Sequence, residues 1–398
     1  MKKGLIRRIR SRLRPLRLWS VWQAIRLCDG LVLMACPKPA RTQGVAVVKL
    51  DAIGDLVVWL DAAKELKALY PGCKITLFAN AMCAELAGKL PYWDEVCPVD
   101  VVRLRIEGCT AYRARLLRSV RRRGFDVAIQ PTFSRELEVG DTLLRATGAR
   151  ERIGSVGDLY NMTAAQKRVA DRWYTRRLPA NPQPMTELER NAEFIRHLGK
   201  PGFAATLPVL PRLLELPERL RLAAPYLILF PGAGWTGRQW PVARFADIAN
   251  QLSRSLGLQA VVCGSKGELA LCQSVVSAAE VNVLNLAGQT SLPEFVELVR
   301  GARLLVGNET SAVHIAGAVG TASVGILGGG HYGRFMPYPE APGCHAPQSA
   351  VHPMPCFKCD WQCTQPHQAG GPMPCIDGVT VENVMRVSRR ALAVGEFA

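Results

Sequence analysis

The amino-acid sequence predicts an α/β protein with two facing Rossmann-like domains and a cleft between them. Three observations lead to this prediction: short apolar strands alternate with amphipathic helices, a Pro-rich zone interrupts the alternation once, and polar loops follow several strands. Strand–helix alternation of this kind is typical of doubly wound parallel sheets. With 398 residues, 48% of them hydrophobic, the chain is long enough for two domains that each bury a core.

The alternation is clear on both sides of the prolines, which cluster at 178–184 and 200–217 and indicate a linker or boundary. The predicted strands are 44–50, 73–80, 95–100, 125–131, 226–230, 258–264, 283–288, 303–307 and 322–329. The predicted helices lie within 51–71, 111–124, 243–257, 267–279 and 291–302 and directly after the corner at 308–311. We therefore predict a basic arm at 1–40, a first domain at 41–205, a second domain at 206–380 and a C-terminal helix at 381–398.

The net charge of +17 is unevenly distributed. Residues 1–27 carry nine Lys or Arg and no acid, interleaved with leucines, isoleucines and tryptophans, and the segment 103–123 holds eight arginines. The first pattern favours an amphipathic arm on an anionic membrane surface. A nucleic-acid-binding arm and a solvated basic tail are the alternatives. We favour the membrane and expect no nucleic-acid partner, because exposed Trp and Leu are costly in a purely electrostatic arm.

The cysteines and the hydropathy pattern indicate a cytoplasmic protein. No apolar run of about 20 residues occurs, so no transmembrane helix is expected. Thirteen cysteines at irregular spacing do not resemble a secreted disulfide framework. A nicotinamide-dependent dehydrogenase is disfavoured, because the first strand is followed by KLDAIGD and the second-half loop GSKGE has only two glycines, where that class needs G-x-G-x-x-G.

The stretch 304–320, LLVGNETSAVHIAGAVG, places a carboxylate, two hydroxyls and an imidazole where a strand meets a helix. The simplest interpretation is that Thr310 or Ser311 caps the helix. The alternative is an anion site at the helix N-terminus, with Glu309, Thr310, Ser311 and His314 directed at a ligand.

Two further loops strengthen the ligand interpretation. PGAGWTGRQWP at 231–241 combines Gly232, Gly234 and Arg238 after a strand, a composition typical of a phosphate-binding loop. CGSKGE supplies Glu268 as a polar contact for a nucleoside, although a solvated loop explains it equally well.

The turn DAIGD contains the candidate general base. Gly54 permits a close backbone approach, and Asp55 suits the start of a helix through the helix dipole. A helix-start acid is the plain interpretation. If Asp55 faces the cleft, its carboxylate can instead take a proton from an acceptor hydroxyl.

Four cysteines lie within about twenty residues near the C-terminus, with His352 and His367 as alternative ligands. This density favours tetrahedral Zn²⁺ or iron binding, with free structural thiols or a disulfide as the alternative. A metal here would hold a loop and take no part in catalysis. The candidate ligands are Cys356, Cys359, Cys363 and Cys375.

Taken together, IGDLVVWLDAAKELKALYP, LILFPGAGWTGRQWP and NLAGQTSLPEFVELVRGARLLVGNETSAVHIAGAVGTASVGILGG resemble the motifs of glycosyltransferase family 9. This is the bacterial heptosyltransferase family of lipopolysaccharide core assembly, and the resemblance covers about residues 44–385. It implies the two-domain fold called GT-B, inversion at the transferred sugar, catalysis without a metal, and an ADP-activated heptose as the common donor. One branch of the family, which modifies autotransporter proteins, binds iron through comparable cysteines.

The resemblance also assigns roles to residues. Asp55 matches the family's base, Arg238 takes the place of a Lys that contacts donor phosphate, and Glu268 matches an acid near the nucleoside. The 309–314 corner matches N-D-[ST]-G-x-x-H, which holds donor sugar and pyrophosphate; here Glu309 replaces Asp and Ser311 replaces Gly. The first domain would then bind the acceptor and the second the donor.

These expectations define a function. We predict an inverting glycosyltransferase at the cytoplasmic face of the bacterial inner membrane. It would transfer a sugar, with heptose as the candidate, from a nucleotide-diphosphate sugar to a lipid-linked glycan such as lipopolysaccharide. A protein O-heptosyltransferase and a non-catalytic nucleotide-sugar-binding scaffold are the alternatives.

Overall fold

The computed structural model describes residues 22–37, 40, 42–105, 108–338 and 346–395. Most of the predicted basic arm thus lies outside the described residues. The structure confirms the predicted α/β class, with two sheets of parallel strands in two compact units. The first unit comprises residues 1–51, 66–180 and 197–199, and the second comprises 52–65, 181–196 and 200–398.

Each unit contains six strands, numbered here in chain order. They are β1 Thr42–Lys49, β2 Lys74–Asn80, β3 Glu95–Val99, β4 Phe125–Gln130, β5 Glu151–Ser155, β6 Arg176–Leu178, β7 Tyr226–Phe230, β8 Gln259–Val262, β9 Val283–Asn285, β10 Leu304–Asn308, β11 Ser323–Leu327 and β12 Gln348–Val351.

The helices are numbered in the same way, with α1 the helical residues 22–34. The others are α2 Ile53–Ala63, α3 Leu66–Leu69, α4 Ala84–Ala87, α5 Val101–Leu104, α6 Thr110–Arg122, α7 Thr142–Thr147, α8 Ala164–Asp171, α9 Glu187–Leu198, α10 Val242–Leu256, α11 Leu269–Ala278, α12 Leu292–Gly301, α13 Ser311–Val319, α14 Pro374–Asp377 and α15 Val381–Gly395.

Both sheets follow the doubly wound order. The first sheet runs β3-β2-β1-β4-β5-β6 and the second runs β12-β11-β10-β7-β8-β9. The chain reverses its direction of winding between β1 and β4, and again between β7 and β10. In parallel sheets these switch points leave a crevice outside the carboxyl ends of the two strands, which is where ligands bind.

Several elements differ from the prediction, among them three strands, the end of one helix and the unpredicted helices α7, α8 and α9. β5, β6 and β12 were not predicted, because they are short and β5 and β6 carry charged residues instead of an apolar run. The helix expected across 51–71 ends at Ala63, where the backbone N–H of Glu65 bonds the carbonyl of Ala62 three residues back. The turn therefore tightens and the helix stops.

Helix α2 packs within the second unit, although it directly follows β1. Gly54 lies against His314 of α13, and Val58 packs with Leu188 and Tyr338. The Asp61 carboxylate also accepts a hydrogen bond of 3.0 Å from the backbone N–H of Thr206. These contacts place α2 with the second unit, whereas the sequence boundaries had assigned it to the first domain.

Helix α1 is fastened to the first unit by a buried ion pair. Arg113 of α6 donates to both oxygens of the Asp29 carboxylate, with Nε–Oδ1 2.9 Å and Nη2–Oδ2 2.7 Å. Its remaining N–H groups reach the carbonyls of Leu104 and Glu138 and the hydroxyl of Thr142. Both charges are therefore fully hydrogen-bonded, as a buried pair requires.

Arg113→Leu should lower the free energy of unfolding of the first unit by about 3–5 kcal/mol, because it leaves the Asp29 carboxylate buried without its partner. Urea unfolding, with hydrogen exchange to follow the amides of α1, measures the loss. Arg115→Leu is the matched control on the exposed side of α6, with an expected change within about 0.5 kcal/mol. Equal stability of the two variants would contradict the assignment.

Candidate active site

The second unit's switch point brings two of the predicted ligand loops together. Gly307 of β10 pairs with Phe230 of β7, so the loops that leave these strands start side by side. One is the glycine loop, residues 231–241, and the other is the corner at 308–311. The fold therefore assembles these residues at the position where doubly wound sheets bind ligands.

Asn308 joins the two loops. Its Oδ1 accepts a hydrogen bond of 3.0 Å from the backbone N–H of Trp240, and its Nδ2 donates to the carbonyl of Pro231 at 2.7 Å. The side chain is completely buried, so these hydrogen bonds are shielded from water. Asn308 thereby fixes the glycine loop at both ends.

Arg238 and Glu309 form the charged centre of the site. Nη2 of Arg238 lies 3.3 Å from Oε2 of Glu309 and donates to the Glu309 carbonyl at 2.5 Å. Arg238 retains 22% side-chain exposure, whereas Glu309 retains 4%. A partly exposed guanidinium can bind an anion from solvent while its positive charge compensates the negative charge of the buried carboxylate.

Burial raises the pKa of Glu309 from 4.5 to about 7, and the nearby Arg238 charge opposes the increase only in part. Two polar atoms at this corner are buried without a hydrogen-bond partner among the described residues: Oε1 of Glu309 and Oγ1 of Thr310. Unpaired buried oxygens are costly, so they mark a place where a ligand can supply the missing partner.

The capping interpretation of the corner is wrong for Thr310. This residue occupies the N-cap position of α13 in an extended conformation, but its side chain makes no capping hydrogen bond. Ser311 is the first helical residue. The N-terminal N–H groups of α13 thus lack a Thr310 side-chain cap, in keeping with an anion site.

His314 lies one turn further along α13 and is held by Tyr338, which the sequence did not single out. Its Nδ1 is 2.6 Å from the Tyr338 hydroxyl, and both rings are buried. Burial, followed by the positive charge of Arg238, lowers the pKa of His314 from 6.5 to about 4. The imidazole is therefore neutral at physiological pH and acts as a hydrogen-bonding group.

The DAIGD turn joins this site through Gly54. A Cβ at Gly54 would lie 3.2 Å from Cδ2 of His314, so glycine allows the start of α2 to approach α13 closely. Asp55 follows in the first turn of α2 and is half-buried. The predicted base thus belongs to the same compact unit as the predicted donor residues.

Glu268 packs behind the glycine loop. Its Oε2 accepts a hydrogen bond of 2.7 Å from the backbone N–H of Ser265. A Cβ at Gly232 would lie 1.9 Å from Oε1 of Glu268, so a larger residue there would displace the Glu268 carboxylate. At Gly234 the added atom would meet nothing within 4 Å, so packing does not require glycine there.

Trp361 is a second residue that the sequence did not indicate. The centre of its indole ring lies 5.4 Å from Cζ of Arg238, and the ring of Trp235 meets it edge-on at 5.7 Å. Its Nε1 is buried and has no partner in the described part of the chain. Gly330 leaves room for the ring, since a Cβ there would lie 2.3 Å from the indole.

The described residues of the cysteine-rich segment show no metal-binding group. Sγ of Cys375 accepts a 3.3 Å hydrogen bond from the backbone N–H of Gly329, and burial raises the pKa of this thiol. Within residues 22–338 and 346–395, apart from the short gaps given above, no group of three or more His, Cys, Asp or Glu residues could hold a metal ion. The disulfide alternative is not observed either, because all four thiols are free: Cys356, Cys359, Cys363 and Cys375.

Aromatic packing also organises this segment. Phe357 and Trp361 cover the glycines that follow β11, and Lys358, Asp360 and Trp361 adopt left-handed backbone conformations. The chain thereby packs its aromatic rings against the glycines at the end of the sheet.

The first unit has a polar cluster at its own switch point. Asp51, two residues after the end of β1, lies 2.8 Å from Nζ of Lys49 and accepts a 2.7 Å hydrogen bond from the Thr132 hydroxyl, which follows β4. Burial alone would raise the pKa of Asp51, but Lys49 and Thr132 more than offset this and hold it below its ordinary value. Sequence reasoning missed this cluster, although each residue follows or ends a strand.

The raised pKa of Glu309 predicts a specific pH dependence. The folded state holds the proton more tightly than the unfolded chain, so this group's stabilising contribution is complete below pH 4.5 and is lost as the pH rises through about 7. Between these pH values, titration of Glu309 should lower the free energy of unfolding of the wild-type protein by up to about 1.4 kcal/mol per pH unit. Glu309→Gln should remove that fall, as measured by urea unfolding from pH 5 to 8.

Glu294→Gln is the matched control for this series. Its pKa is lowered, chiefly by the backbone N–H of Ser291, so Glu294 stays ionised throughout this range. The stability difference between this variant and wild type should therefore be constant from pH 5 to 8. Parallel curves for Glu309→Gln and wild type would contradict the buried-carboxyl assignment.

Known proteins share this sequence pattern and fold. The model of glycosyltransferase family 9 (heptosyltransferase) matches residues 113–364. Lipopolysaccharide heptosyltransferase 2 of Salmonella typhimurium is 24% identical over 303 residues, which cover 71% of this chain and 82% of the relative. Lipopolysaccharide heptosyltransferase 1 of Pseudomonas aeruginosa is 26% identical over 309 residues, which cover 73% and 81%.

Solved structures show the same fold. A glycosyl transferase family 9 protein from Veillonella parvula superposes with a TM-score of 0.68 at 17% identity, over 88% of this chain and 97% of that one. The ADP-heptose lipopolysaccharide heptosyltransferase II of E. coli gives 0.63 at 20% identity, over 89% and 100%. Since the family model spans more than half of the chain, this protein belongs to glycosyltransferase family 9 and is a glycosyltransferase.

Proposed function

We propose that this protein transfers heptose from ADP-heptose to a growing lipopolysaccharide core, with inversion at the anomeric carbon. The observation that carries the proposal is the Arg238–Glu309 corner at the N-terminus of α13, with its unpartnered buried oxygens, in a member of this family. Relatives named as lipopolysaccharide heptosyltransferases support the sugar and the acceptor.

The donor diphosphate is proposed to lie between Arg238 and the first turn of α13. When the bond to the sugar breaks, negative charge grows on the leaving diphosphate, and the guanidinium and the helix N–H groups stabilise it. Because these groups are fixed before the reaction, they need no rearrangement during it. The positive charge required at the leaving group therefore comes from the protein itself.

Asp55 is proposed as the general base. Its half-buried carboxylate lies in the turn next to Gly54, which contacts His314 of the donor corner. The acceptor hydroxyl gives its proton to Asp55 as its oxygen attacks the anomeric carbon from the face opposite the diphosphate. A single displacement of this kind inverts the anomeric centre, by analogy with inverting glycosidases.

We assign acceptor recognition to the first unit and place the reaction at the cytoplasmic face of the inner membrane. The cluster of Lys49, Asp51 and Thr132 at the β1–β4 switch point offers charged and hydroxyl groups to a sugar acceptor. A lipid-linked acceptor would present its glycan at the membrane surface. Among the described residues, no helix combines the length and hydrophobicity needed to cross a bilayer.

Asp55→Asn tests the proposed function directly. Loss of the base should reduce kcat for heptose transfer by about 100-fold or more, while ADP affinity by calorimetry stays within about threefold of wild type. The assay follows transfer from ADP-heptose to lipopolysaccharide from a strain lacking core heptose, and NMR reports the anomer of the product.

Glu85→Gln is the control, because it changes an exposed acid in the first turn of another helix, α4, and should leave kcat unchanged. Wild-type kcat in Asp55→Asn would disprove the assignment of the base. Absence of transfer by the wild-type protein, with ADP binding intact, would favour a nucleotide-sugar-binding scaffold.

Trp361→Leu should weaken ADP binding by roughly 3- to 30-fold, because loss of a cation–π contact worth about 0.5–2 kcal/mol frees the Arg238 guanidinium from its position. Trp361→Phe keeps an aromatic face and should have a smaller effect. Calorimetric titration with ADP measures both variants. Identical affinities for wild type and Trp361→Leu would show that Arg238 needs no support from the ring.

A further inference from the structure

Helix α1 exposes an apolar face to solvent. Leu27, Leu31 and Met34 retain 64%, 62% and 75% of their accessible surface, although all three are large and hydrophobic. Their spacing of four and three residues puts them in one stripe along the helix. The other exposed residues between 22 and 35 are also uncharged: Ala24, Cys28 and Ala35.

This orientation is the reverse of an ordinary surface helix, whose polar side faces water. The acidic residue Asp29 points inward to Arg113, while Trp22 and Leu33 are buried in the first unit. The ion pair and the two packed side chains fix the rotation of α1 about its axis. These contacts therefore hold the apolar stripe on the solvent-exposed side of α1.

The charged residues that the neighbouring helix α6 exposes are all positive. Arg115, Arg118 and Arg122 are exposed at intervals of three and four residues and thus lie along one side of α6. No Asp or Glu occurs in Thr110–Arg122. Because Arg113 ties α6 to Asp29 of α1, the arginine stripe and the apolar stripe belong to adjacent helices.

The sequence before α1 has the same character. Residues 1–21 include eight Lys or Arg and no acid, together with Trp19 and several leucines and isoleucines. Apolar side chains bordered by positive charge are complementary to an anionic lipid surface. The apolar side chains can insert at the acyl boundary, and the negative headgroups attract the positive side chains. A second copy of this chain would instead bring like charges together, which disfavours a dimer through this face.

We propose that the apolar stripe of α1 (Leu27, Leu31 and Met34) and the arginine stripe of α6 (Arg115, Arg118 and Arg122) form a docking surface for an anionic lipid bilayer. The apolar stripe lies at the acyl boundary, and the arginines contact headgroup phosphates. This inference rests on the membrane location proposed above and deepens it, because it names the residues that hold the enzyme beside a lipid-linked acceptor.

Flotation of the full-length protein with vesicles tests the surface. Wild type should bind vesicles of three parts phosphatidylcholine to one part phosphatidylglycerol, and the partition coefficient of the L27Q/L31Q/M34Q variant should be at least tenfold lower. The matched control V209Q/L256Q/L284Q replaces exposed apolar residues of the second unit and should stay within about twofold of wild type. R115Q/R118Q/R122Q should weaken binding to these vesicles and reduce its salt dependence, with little effect on pure phosphatidylcholine.

The outcomes separate the docking surface from its alternatives. If L27Q/L31Q/M34Q bound vesicles as well as wild type, the proposal would be overturned. The same would follow if vesicle binding were lost only when residues 2–21 were deleted. A change from dimer to monomer by light scattering, with vesicle binding unchanged, would instead assign the stripe to a second copy. Circular dichroism and heptose transfer to a detergent-solubilised acceptor show whether each variant is folded. Wild-type vesicle binding without any transfer activity would refute the proposed function and leave the docking surface standing.

Discussion

The contact between Arg238 and Glu309 is the interaction on which the second unit's site depends. Glu309 is buried after β10, and an isolated carboxylate there would be strongly destabilising without a cation. Arg238 supplies that cation from the glycine loop, and its own position is set by the Glu309 carbonyl and the ring of Trp361. One guanidinium therefore links two strand ends and the cysteine-rich segment, and it also remains partly open to solvent.

Much of this arrangement follows from the sequence. Runs such as YLILF and RLLVG are apolar over one strand length, and each is followed at once by glycine or polar residues. In a parallel sheet the carboxyl ends of such strands share an edge, so Arg238, Glu309 and Thr310 can be expected at one place. The same local sequence patterns also locate three other residues, because each lies within a few residues of a strand–helix corner: Asn308, Gly54 and His314.

The remaining features depend on contacts between segments distant in sequence. Tyr338 reaches His314, and Trp361 reaches Arg238, from parts of the chain that show no periodic pattern. The cysteine spacing predicts a metal site but gives no sign that the rings of Phe357 and Trp361 pack against three consecutive glycines. For α1, hydrophobic periodicity identifies a helix but not which face is buried, because that choice is made by Arg113 of α6.

The assignment of α2 to the second unit means that neither unit is a continuous piece of the polypeptide. The second unit takes residues 52–65 and 181–196 from the first half of the chain. A fragment cut at the Pro-rich zone would lose α2 and leave the apolar surfaces of Leu188, Tyr338 and α13 uncovered. During synthesis on the ribosome, α2 emerges long before the elements it packs against. The second unit can therefore complete its core only after α13 has left the exit tunnel, and the enzyme matures as one interleaved chain.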